Sequence, residues 1–217
     1  MRLLLDAFCG GGGASMGYSR AGWAVIGVDI NPQPDYPFAF IQGDALEFIA
    51  AKGKFFDAIH ASPPCQASTK LRAYTNKSPE LRGQAVNLIP ETRAALEATG
   101  RPWVIENVST AAAGLRDPIT LCGAMFGLTV YRHRGFESNV RLTAPTHQPH
   151  TALCTRNSYL PTPERPFMSI HGRNGHQSKA WVRAAAEAMG VEWMTSINPV
   201  CEAIPPAYTE WIGRQLP

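Results

Sequence analysis

Near its beginning the chain reads Leu3-Leu4-Leu5-Asp6-Ala7-Phe8-Cys9-Gly10-Gly11-Gly12-Gly13. The leucines have the length and composition of a short buried strand, and the glycines predict a tight loop behind it. Residues 14–21 then predict a helix that is closed by Gly22. A strand, a glycine loop and a helix in this order are typical of a doubly wound α/β sheet, in which ligands bind beyond the carboxyl ends of the strands.

Strands and helices continue to alternate outward from this stretch. We predict further strands over 23–28, 40–44, 55–61 and 103–105, and helices over 45–51, 79–99 with a break at Pro90, 181–189 and 207–216. Such alternation predicts an α/β fold with a doubly wound, mostly parallel sheet.

Residues 141–178 interrupt this regularity. Pro, Thr, His, Arg and Asn crowd the segment, and no hydrophobic period is sustained through it. We therefore expect a main domain over 1–140, a short irregular insert over 141–178, and C-terminal helices over 179–217 that complete the main domain.

The composition is that of a folded protein with one basic segment. Of the 217 residues, 45% are hydrophobic and 17% are charged, which excludes intrinsic disorder as the dominant state. Residues 1–100 carry nine Lys or Arg and nine Asp or Glu, whereas residues 116–183 carry nine basic residues, three acidic residues and five of the six histidines. This concentration of positive charge suggests that one part of the protein faces a polyanion.

The five cysteines are widely spaced, at positions 9, 65, 122, 154 and 201, and no two of them form a Cys-x-x-Cys pair. This spacing argues against a disulfide framework or a zinc cluster and favours a reducing cytosol. His147, His150 and Cys154 have a faintly metal-like spacing, but a fourth ligand is missing nearby, so we expect no metal site.

The sequence shows neither a secretory signal nor a membrane span. Asp6 interrupts the apolar start, and no apolar run approaches the about 20 residues that a membrane span needs. We expect a cytoplasmic protein without a membrane partner.

Two aspartates follow predicted strands and can join the glycine loop in binding a ligand. Asp29 closes the second predicted strand, 16 residues after Gly13, where a carboxylate can bind ribose hydroxyls. Asp44 ends the third, where it can accept a hydrogen bond from an adenine amino group. A glycine-rich turn is often only a tight turn, but together with the two aspartates it indicates an adenosine-type cofactor. No Gly-Lys-Ser/Thr follows the glycines, which excludes a phosphate-binding P-loop.

A cysteine and a glutamate also fall at strand ends. In Ser62-Pro63-Pro64-Cys65-Gln66 two prolines fix a rigid loop, and an exposed thiolate at Cys65 would be a strong nucleophile. A lone cysteine is otherwise a small buried hydrophobe, which is how we interpret Cys122, Cys154 and Cys201. Glu106-Asn107-Val108 places a carboxylate where it can donate a proton or bind a base, although such a group is more often a cap or a surface charge.

Two arginines flank His133. On an extended chain alternate residues point the same way, so Arg132 and Arg134 would face one site. The alternative is an ordinary solvated strand face.

In this order the motifs resemble those of the cytosine-5 DNA methyltransferase family. The glycine loop resembles the family's first motif, Phe-x-Gly-x-Gly, which surrounds S-adenosylmethionine. The further matches are Pro63-Pro64-Cys65-Gln66 to the nucleophile motif, Glu106-Asn107-Val108 to the motif that binds the target cytosine, Arg132-x-Arg134 to the end of Gln-x-Arg-x-Arg, and Met189-Gly190 and Glu202-Ala203-Ile204-Pro205-Pro206 to the two closing motifs. The resemblance covers most of 1–140 and 180–217.

The resemblance implies a Rossmann-like, S-adenosylmethionine-dependent enzyme that methylates carbon 5 of a cytosine flipped out of double-stranded DNA. It implies that the Cys65 thiolate adds to carbon 6 and that protonated Glu106 holds ring nitrogen 3. Arg132 and Arg134 would hold the base, its phosphate or the loop that bears Cys65. The implied cofactor contacts are Phe8, Gly10, Gly11, Gly12, Gly13, Asp29, Ile30, Asp44, Ala45 and Pro63, and the implied substrate contacts are Pro64, Gln66 and Asn107.

Three places depart from the family pattern. Ile30 stands where an aromatic residue usually stacks on the adenine, and Val130 stands in place of the glutamine of the arginine motif. Cys201-Glu202 stands where Gly-Asn usually precedes the closing apolar-Pro-Pro run. The changes at Ile30 and at Cys201-Glu202 bear on the cofactor contacts, and the altered closing motif leaves a catalytically weak DNA-binding relative as one alternative.

The insert over 141–178 stands where the family reads its target. Its expected contacts to phosphates and guanines are Arg141, Arg156, Arg165, Arg173 and Lys179. An insert this short predicts recognition of about two to four base pairs. The polar stretch 67–82 is either a loop that closes over the flipped base or a solvated surface.

The expected setting is a bacterial cell or a phage-infected host, in which the enzyme would belong to a restriction–modification system. We expect it to act as a monomer. An RNA cytosine-5 methyltransferase is a second alternative, because some relatives accept transfer RNA. A small-molecule methyltransferase would not explain the Pro-Pro-Cys-Gln and Glu-Asn-Val motifs together.

Overall fold

A computed structural model describes residues 2–64, 87–108, 114–156, 159–170 and 177–217. Its centre is a seven-stranded sheet with the strand order β3-β2-β1-β4-β5-β7-β6. The strands are β1 (Leu3–Ala7), β2 (Ala24–Asp29), β3 (Ala39–Gln42), β4 (Ala58–Ala61), β5 (Trp103–Val108), β6 (Ile119–Leu121) and β7 (Arg134–Ser138). The described helices are α1 (Gly13–Arg20), α2 (Ala45–Lys52), α3 (Ile89–Glu97), α4 (Lys179–Met189), α5 (Ile197–Glu202) and α6 (Pro206–Gly213).

Strands β1 to β5 are parallel, and β7 runs antiparallel to both β5 and β6. The central strand β1 pairs with β2 on one side and with β4 on the other. The prediction of an α/β fold with a mostly parallel sheet is therefore confirmed. Because the first five strands share a direction, the loops that follow them all leave from the same edge of the sheet.

The leucines at the start of the chain divide the core between the two faces of the sheet. Leu4 packs in a cluster with α1 and α6, and Leu5 packs in a cluster with α2 and α3 on the opposite face. Both side chains are fully buried, as alternation along a strand covered on two sides requires. Burial of each contributes about 1.5–3 kcal/mol relative to exposure.

The end of the chain returns to pack against its beginning. A Cβ at Gly17 of α1 would lie 2.1 Å from the Pro206 carbonyl oxygen, so only glycine lets α1 and α6 approach this closely. The Thr209 hydroxyl fixes the approach by donating to the carbonyl of Ala14 at 2.8 Å. Helix α6 thus covers the same face of the sheet as α1.

The connection from β2 to β3 contains a buried tyrosine in place of a helix. The Tyr36 ring lies over β2, where a Cβ at Gly27 would be only 2.3 Å from its phenolic end. The Tyr36 hydroxyl lies 2.5 Å from the Ser15 hydroxyl, and Ser15 in turn hydrogen-bonds the buried Asp6 carboxylate. This side chain fills the space that a crossover helix normally occupies in a parallel sheet.

Several element boundaries differ from the sequence-based prediction. The strand expected over 55–61 is shortened to β4, because Gly53–Phe55 form a turn of 3₁₀ helix. Of the helix predicted over 79–99, residues 79–86 lie outside the described residues, and Pro90 lies in the first turn of α3, where its missing N–H costs no hydrogen bond. Strand β5 is longer than predicted and includes Glu106 and Asn107.

Strands β6 and β7 and helix α5 were not predicted. The strand β7 reads Arg-Gly-Phe-Glu-Ser and lacks the apolar run or alternation on which strand prediction relies. Within the described part of the insert, pairing is limited to isolated bridges, Cys154 with Phe167 and Thr162 with Arg165. No described helix is both long and apolar enough to cross a membrane.

Candidate active site

The glycine loop leaves β1 in a strained left-handed conformation. Phe8, Gly10 and Gly12 have φ angles of 59°, 51° and 84°. The Asp29 carboxylate at the end of β2 holds the loop by accepting from the Gly10 backbone N–H at 3.1 Å, and it accepts from the Asn31 N–H at 2.9 Å. A carboxylate has about four acceptor positions, so Asp29 retains capacity to bind a ribose hydroxyl.

The glycines serve different purposes. A Cβ at Gly13 would lie 2.3 Å from the Ile204 carbonyl oxygen, and one at Gly11 would lie 3.0 Å from the Met194 methyl carbon. The Trp193 indole donates to the Gly11 carbonyl at 3.0 Å, so the C-terminal segment covers this side of the loop. At Gly10 a Cβ would meet nothing within 4 Å. Gly10 therefore marks the side of the loop that a ligand can approach.

The predicted adenine end of the cofactor site lies beside β2. The Asp44 carboxylate caps α2 by accepting from the backbone N–H groups of Leu46 and Glu47 at 2.9 and 3.2 Å. The Gly43 N–H donates to the Asp29 carbonyl at 3.0 Å, which brings the ends of β2 and β3 together. Of the other predicted contacts in this part, Ile30 is half-buried and Ala45 is fully buried.

The loop that follows β4 is tied to β5 by a side chain. Asn107 is buried, and its Nδ2 donates to the carbonyl oxygen of Pro63 at 2.9 Å. Pro63 is buried and Pro64 half-buried. Cys65 and Gln66, as well as the stretch 67–82, lie outside the described residues.

Glu106 is the buried carboxyl group of the site. It is 6% exposed, and its Oε1 lies 2.9 Å from Nε of Arg134. No described residue makes an aligned hydrogen bond with that oxygen. Burial raises the pKa of Glu106, against the opposing effects of the Arg134 charge, a Ser62 hydrogen bond and the Arg132 charge. The raised pKa favours the protonated form of this carboxyl group.

The Arg132 side chain binds backbone carbonyls and does not form an ion pair with Glu106 in the described residues. Its guanidinium donates to three backbone carbonyls, those of Cys201 at 2.6 Å, Ala203 at 2.9 Å and Ile170 at 3.2 Å. Its φ of 35° is left-handed, so the prediction of an extended chain through both arginines is wrong at this residue. Burial, together with the charge of Arg134, lowers the pKa of Arg132 to about 9. In the described residues Arg132 joins the end of α5 to the insert, and of the two arginines it is Arg134 that forms an ion pair with Glu106.

A buried hydrogen-bonded chain behind Glu106 was missed by the sequence analysis. The Tyr18 hydroxyl lies 3.0 Å from Nδ1 of His60, and Nε2 of His60 lies 2.9 Å from the Ser62 hydroxyl. Burial lowers the pKa of His60 to about 3, so the ring is neutral. The available signal was the polar His60 within an otherwise apolar predicted strand.

Comparisons with known proteins identify the fold. No protein-family model matches the chain, and no curated protein matches it in sequence. Among solved structures, S. pombe Dnmt2 methyltransferase is similar with a TM-score of 0.64 at 14% identity, over 99% of this chain and 98% of the other. A protein described as a DNA modification methyltransferase encoded within an E. coli prophage gives 0.61 at 14% identity, over 100% and 98%.

The Entamoeba histolytica methyltransferase EhMeth gives a TM-score of 0.57 at 12% identity, over 100% of this chain and 98% of the other. At such identities the similarity concerns the fold. The chain has the α/β fold that these three methyltransferases share.

Proposed function

We propose that the protein is an S-adenosylmethionine-dependent DNA cytosine-5 methyltransferase. The observation that carries the proposal is the arrangement at the ends of β4 and β5. Glu106 is buried against Arg134, and the adjacent Asn107 holds the carbonyl of Pro63, two residues before Cys65 in the sequence. A proton donor and the backbone leading to a nucleophile thus leave the same edge of the sheet as the glycine loop.

The residues at that edge fit an adenosine-type cofactor. Gly10 leaves one side of its loop open, and Asp29 holds the loop while keeping acceptor capacity. In the proposed complex Asp29 binds the ribose, Asp44 the adenine amino group, and Ile30 the apolar side of the adenine. When bound, S-adenosylmethionine supplies a methyl group on a positively charged sulfur.

The roles of Cys65, Glu106 and Arg134 follow from the reactivity of the cytosine ring. The Cys65 thiolate forms a bond to carbon 6, and the displaced electron pair makes carbon 5 a nucleophile. Protonated Glu106 holds ring nitrogen 3 and neutralises the charge that develops there, while Arg134 keeps the carboxyl in place. After carbon 5 has accepted the methyl group, a water-mediated base takes its proton, the electron pair returns to the ring, and the thiolate leaves carbon 6.

Double-stranded DNA is the proposed substrate because of the charge distribution. The basic segment 116–183 includes five cations that are exposed in the structure, namely Arg116, Arg141, Arg156, Lys179 and Arg183. Arg165 donates to the Cys154 carbonyl at 2.7 Å and so shapes the insert, and Arg173 lies outside the described residues. Since a base within a duplex cannot reach a buried site, the target cytosine would have to be flipped out.

The test is a trapping experiment with 5-fluorocytosine. The protein is incubated with S-adenosylmethionine and a long duplex in which 5-fluorocytosine replaces cytosine, so that the step removing the carbon 5 proton is blocked. We expect a covalent protein–DNA adduct that survives denaturation, its loss in Cys65→Ser, and its retention in Cys154→Ser. An adduct that forms equally with Cys65→Ser would overturn the mechanism.

Parallel reactions separate the alternatives. Methyl transfer from labelled S-adenosylmethionine is measured on duplex DNA and on structured RNA, and bisulfite sequencing of the DNA reports the recognition site. Transfer to RNA alone would establish the RNA alternative. Absence of cofactor binding by calorimetry would establish a DNA-binding relative without chemistry.

A further inference from the structure

Four side chains converge at the edge of the sheet where the insert begins. Cys122 directly follows β6, His133 directly precedes β7, and His147 and His150 belong to the insert. One potential ligand atom from each lies within 4.8 Å of those of all the others. We call this group the Cys-His cluster. Cys122 is fully buried, His133 half-buried, and the two insert histidines are exposed.

Three of the distances between ligand atoms in the cluster are close to those of a tetrahedral zinc site. Zinc binds imidazole nitrogen at about 2.0–2.1 Å and thiolate sulfur at about 2.3 Å, which places tetrahedral ligands about 3.3–3.8 Å from one another. Nε2 of His147 lies 3.1 Å from Nε2 of His150 and 3.4 Å from Nε2 of His133. The Cys122 sulfur lies 3.4 Å from Nε2 of His150. The other three separations between ligand atoms are no more than 4.8 Å, so small side-chain movements would bring all four atoms around one ion.

Hydrogen bonds alone account poorly for this convergence. Each neutral imidazole nitrogen either donates one hydrogen or accepts with one lone pair. His147 Nε2 faces the equivalent nitrogens of both His133 and His150, and the latter also faces the Cys122 sulfur. A single proton on one of these nitrogens satisfies only one such contact. A cation at the centre satisfies the lone pairs of all four ligand atoms at once.

The surroundings hold the ligands in place. The Tyr131 ring stacks on the His150 ring with centroids 3.5 Å apart and an interplanar angle of 14°. The Tyr131 hydroxyl donates to the Ala152 carbonyl at 2.9 Å and accepts from the Ala152 N–H at 3.1 Å. Backbone N–H groups of Ala124 and Met125 donate toward the Cys122 sulfur. Ordered outer contacts of this kind are typical of metal ligands.

We propose that Cys122, His133, His147 and His150 bind one Zn²⁺ ion. One thiolate and three imidazoles form a ligand set that suits zinc, and four protein ligands leave no open position, so the site is structural. The ion fastens the start of the insert to the sheet between β6 and β7. It also fixes the backbone next to Arg134, the residue that contacts Glu106. The proposal rests on the cluster alone and stands independently of the proposed enzymatic function.

The sequence pattern does not reveal this site, because its ligands come from separate parts of the chain. The expectation of no metal site considered His147, His150 and Cys154, for which a fourth ligand was missing nearby. Strands β6 and β7 pair, with Leu121 opposite Arg134. This pairing brings Cys122, which follows Leu121, close to His133, which precedes Arg134. In the structure Cys154 is not a member of the cluster.

The first test is the metal content of the full chain, purified without a histidine tag. We expect about one zinc per chain by elemental mass spectrometry, as for a closed structural site. His147→Ala, at an exposed position, is expected to retain less than about a fifth of that zinc. Cys154→Ser is the matched control, because it removes a nearby cysteine outside the cluster, and its zinc content should be unchanged.

The second test identifies the ligands by replacing zinc with cobalt. The wild-type protein should show the visible bands of tetrahedral cobalt with a sulfur-to-cobalt charge-transfer band, which Cys122→Ser should lose and Cys154→Ser should keep. Added zinc should raise the melting temperature of metal-free wild type but not of His147→Ala. Less than about 0.1 zinc per chain after incubation with excess zinc would overturn the proposal. Equal metal loss in Cys154→Ser and Cys122→Ser would also overturn it.

Discussion

The Asn107 side chain donates a hydrogen bond of 2.9 Å to the carbonyl oxygen of Pro63. The last backbone pair between β4 and β5 joins Ala61 to Ile105, so this contact continues the connection between the two strands into the loop. Asn107 is 4% exposed, and the bond is therefore made away from competing water. It fixes the backbone that leads to Cys65.

Replacement of Asn107 by alanine should impair catalysis more than cofactor binding. Without the bond, the Pro63 carbonyl loses its partner and the chain leading to the nucleophile can shift. A displacement of about 1 Å can lower a rate by about 100-fold, so we expect kcat for methyl transfer to fall about 10- to 100-fold. The dissociation constant of S-adenosylmethionine should change less than about 3-fold, because the hydrogen bonds of the Asn107 side chain go to Pro63 and Val108 and not to the glycine loop.

Asn139 provides the matched control at the other end of β5. Its side chain accepts from the Trp103 N–H at 2.8 Å and donates to the Arg101 carbonyl at 2.9 Å. Asn139→Ala removes a comparable pair of contacts far from the proposed site, so it should lower stability and leave kcat intact. Equal loss of kcat in the two variants would show that Asn107 acts only through stability.

Glu106→Gln should remove one pH dependence of the reaction. Burial raises the pKa of Glu106, and the proposed role needs the protonated form, so wild-type activity should decline as pH rises through that pKa. The variant cannot lose this proton, and its profile should lack that decline. Loss of a positioned proton donor lowers rates by about 10²- to 10⁴-fold, and we expect kcat to fall within that range. A pH–rate series for both proteins checks this, and an unchanged profile would contradict the role.

The sequence was sufficient for the five parallel strands of the sheet. The apolar run at 3–5 and the strand that closes at Asp29 are local signals, and both strands formed where they were predicted. Glu106 was placed after a strand but lies within one, because its pairing with Phe136 of β7 extends β5. That extension depends on β7, a strand whose sequence shows no alternation of apolar and polar residues by which it could be predicted.

Long-range contacts account for what the sequence did not predict. Arg132 was expected to hold the base, its phosphate or the loop that bears Cys65. In the described residues its guanidinium contacts carbonyls about 40 to 70 residues away in the chain. Its left-handed φ turns the backbone away from the extended path on which that expectation relied. The convergence of His133 with His147 and His150 depends likewise on how the insert folds back over the sheet edge.

Asp6→Asn should change how stability depends on pH. Burial raises the pKa of Asp6 from its usual 3.8 to about 7. Between those values unfolded Asp6 loses its proton while folded Asp6 keeps it, so the free energy of unfolding falls as pH rises, by at most about 1.4 kcal/mol per pH unit. Asparagine abolishes this loss, and the variant should gain stability relative to wild type from about pH 4 to about pH 7.

Denaturant titrations at several pH values measure that difference. The control is Asp35→Asn, which replaces an exposed carboxylate. Its stability relative to wild type should not rise over the same pH range. A constant difference between Asp6→Asn and wild type from pH 4 to pH 7 would mean that Asp6 is charged in the folded protein.

Glu137→Ala should be the most destabilising of these substitutions. Glu137 is 3% exposed and forms a two-pronged ion pair with Arg93 of α3, at 2.6 and 2.7 Å. It also accepts from the Arg116 N–H at 2.8 Å. Removing the carboxylate leaves the Arg93 charge buried without that partner, which costs about 3–5 kcal/mol. The exposed pair between Glu97 and Arg116, at 3.5 Å, is the control, and Glu97→Ala should cost less than about 1 kcal/mol.

A double variant separates the cost of an unpaired charge from the value of the pair itself. In Arg93→Met/Glu137→Leu neither charge remains, so urea unfolding should show a free energy within about 2 kcal/mol of wild type. Such recovery would mean that the pair contributes little net stability and serves to fix how α3 lies on β7, the strand that presents Arg134 to Glu106. A double variant as unstable as Glu137→Ala would instead make the ion pair itself a source of stability.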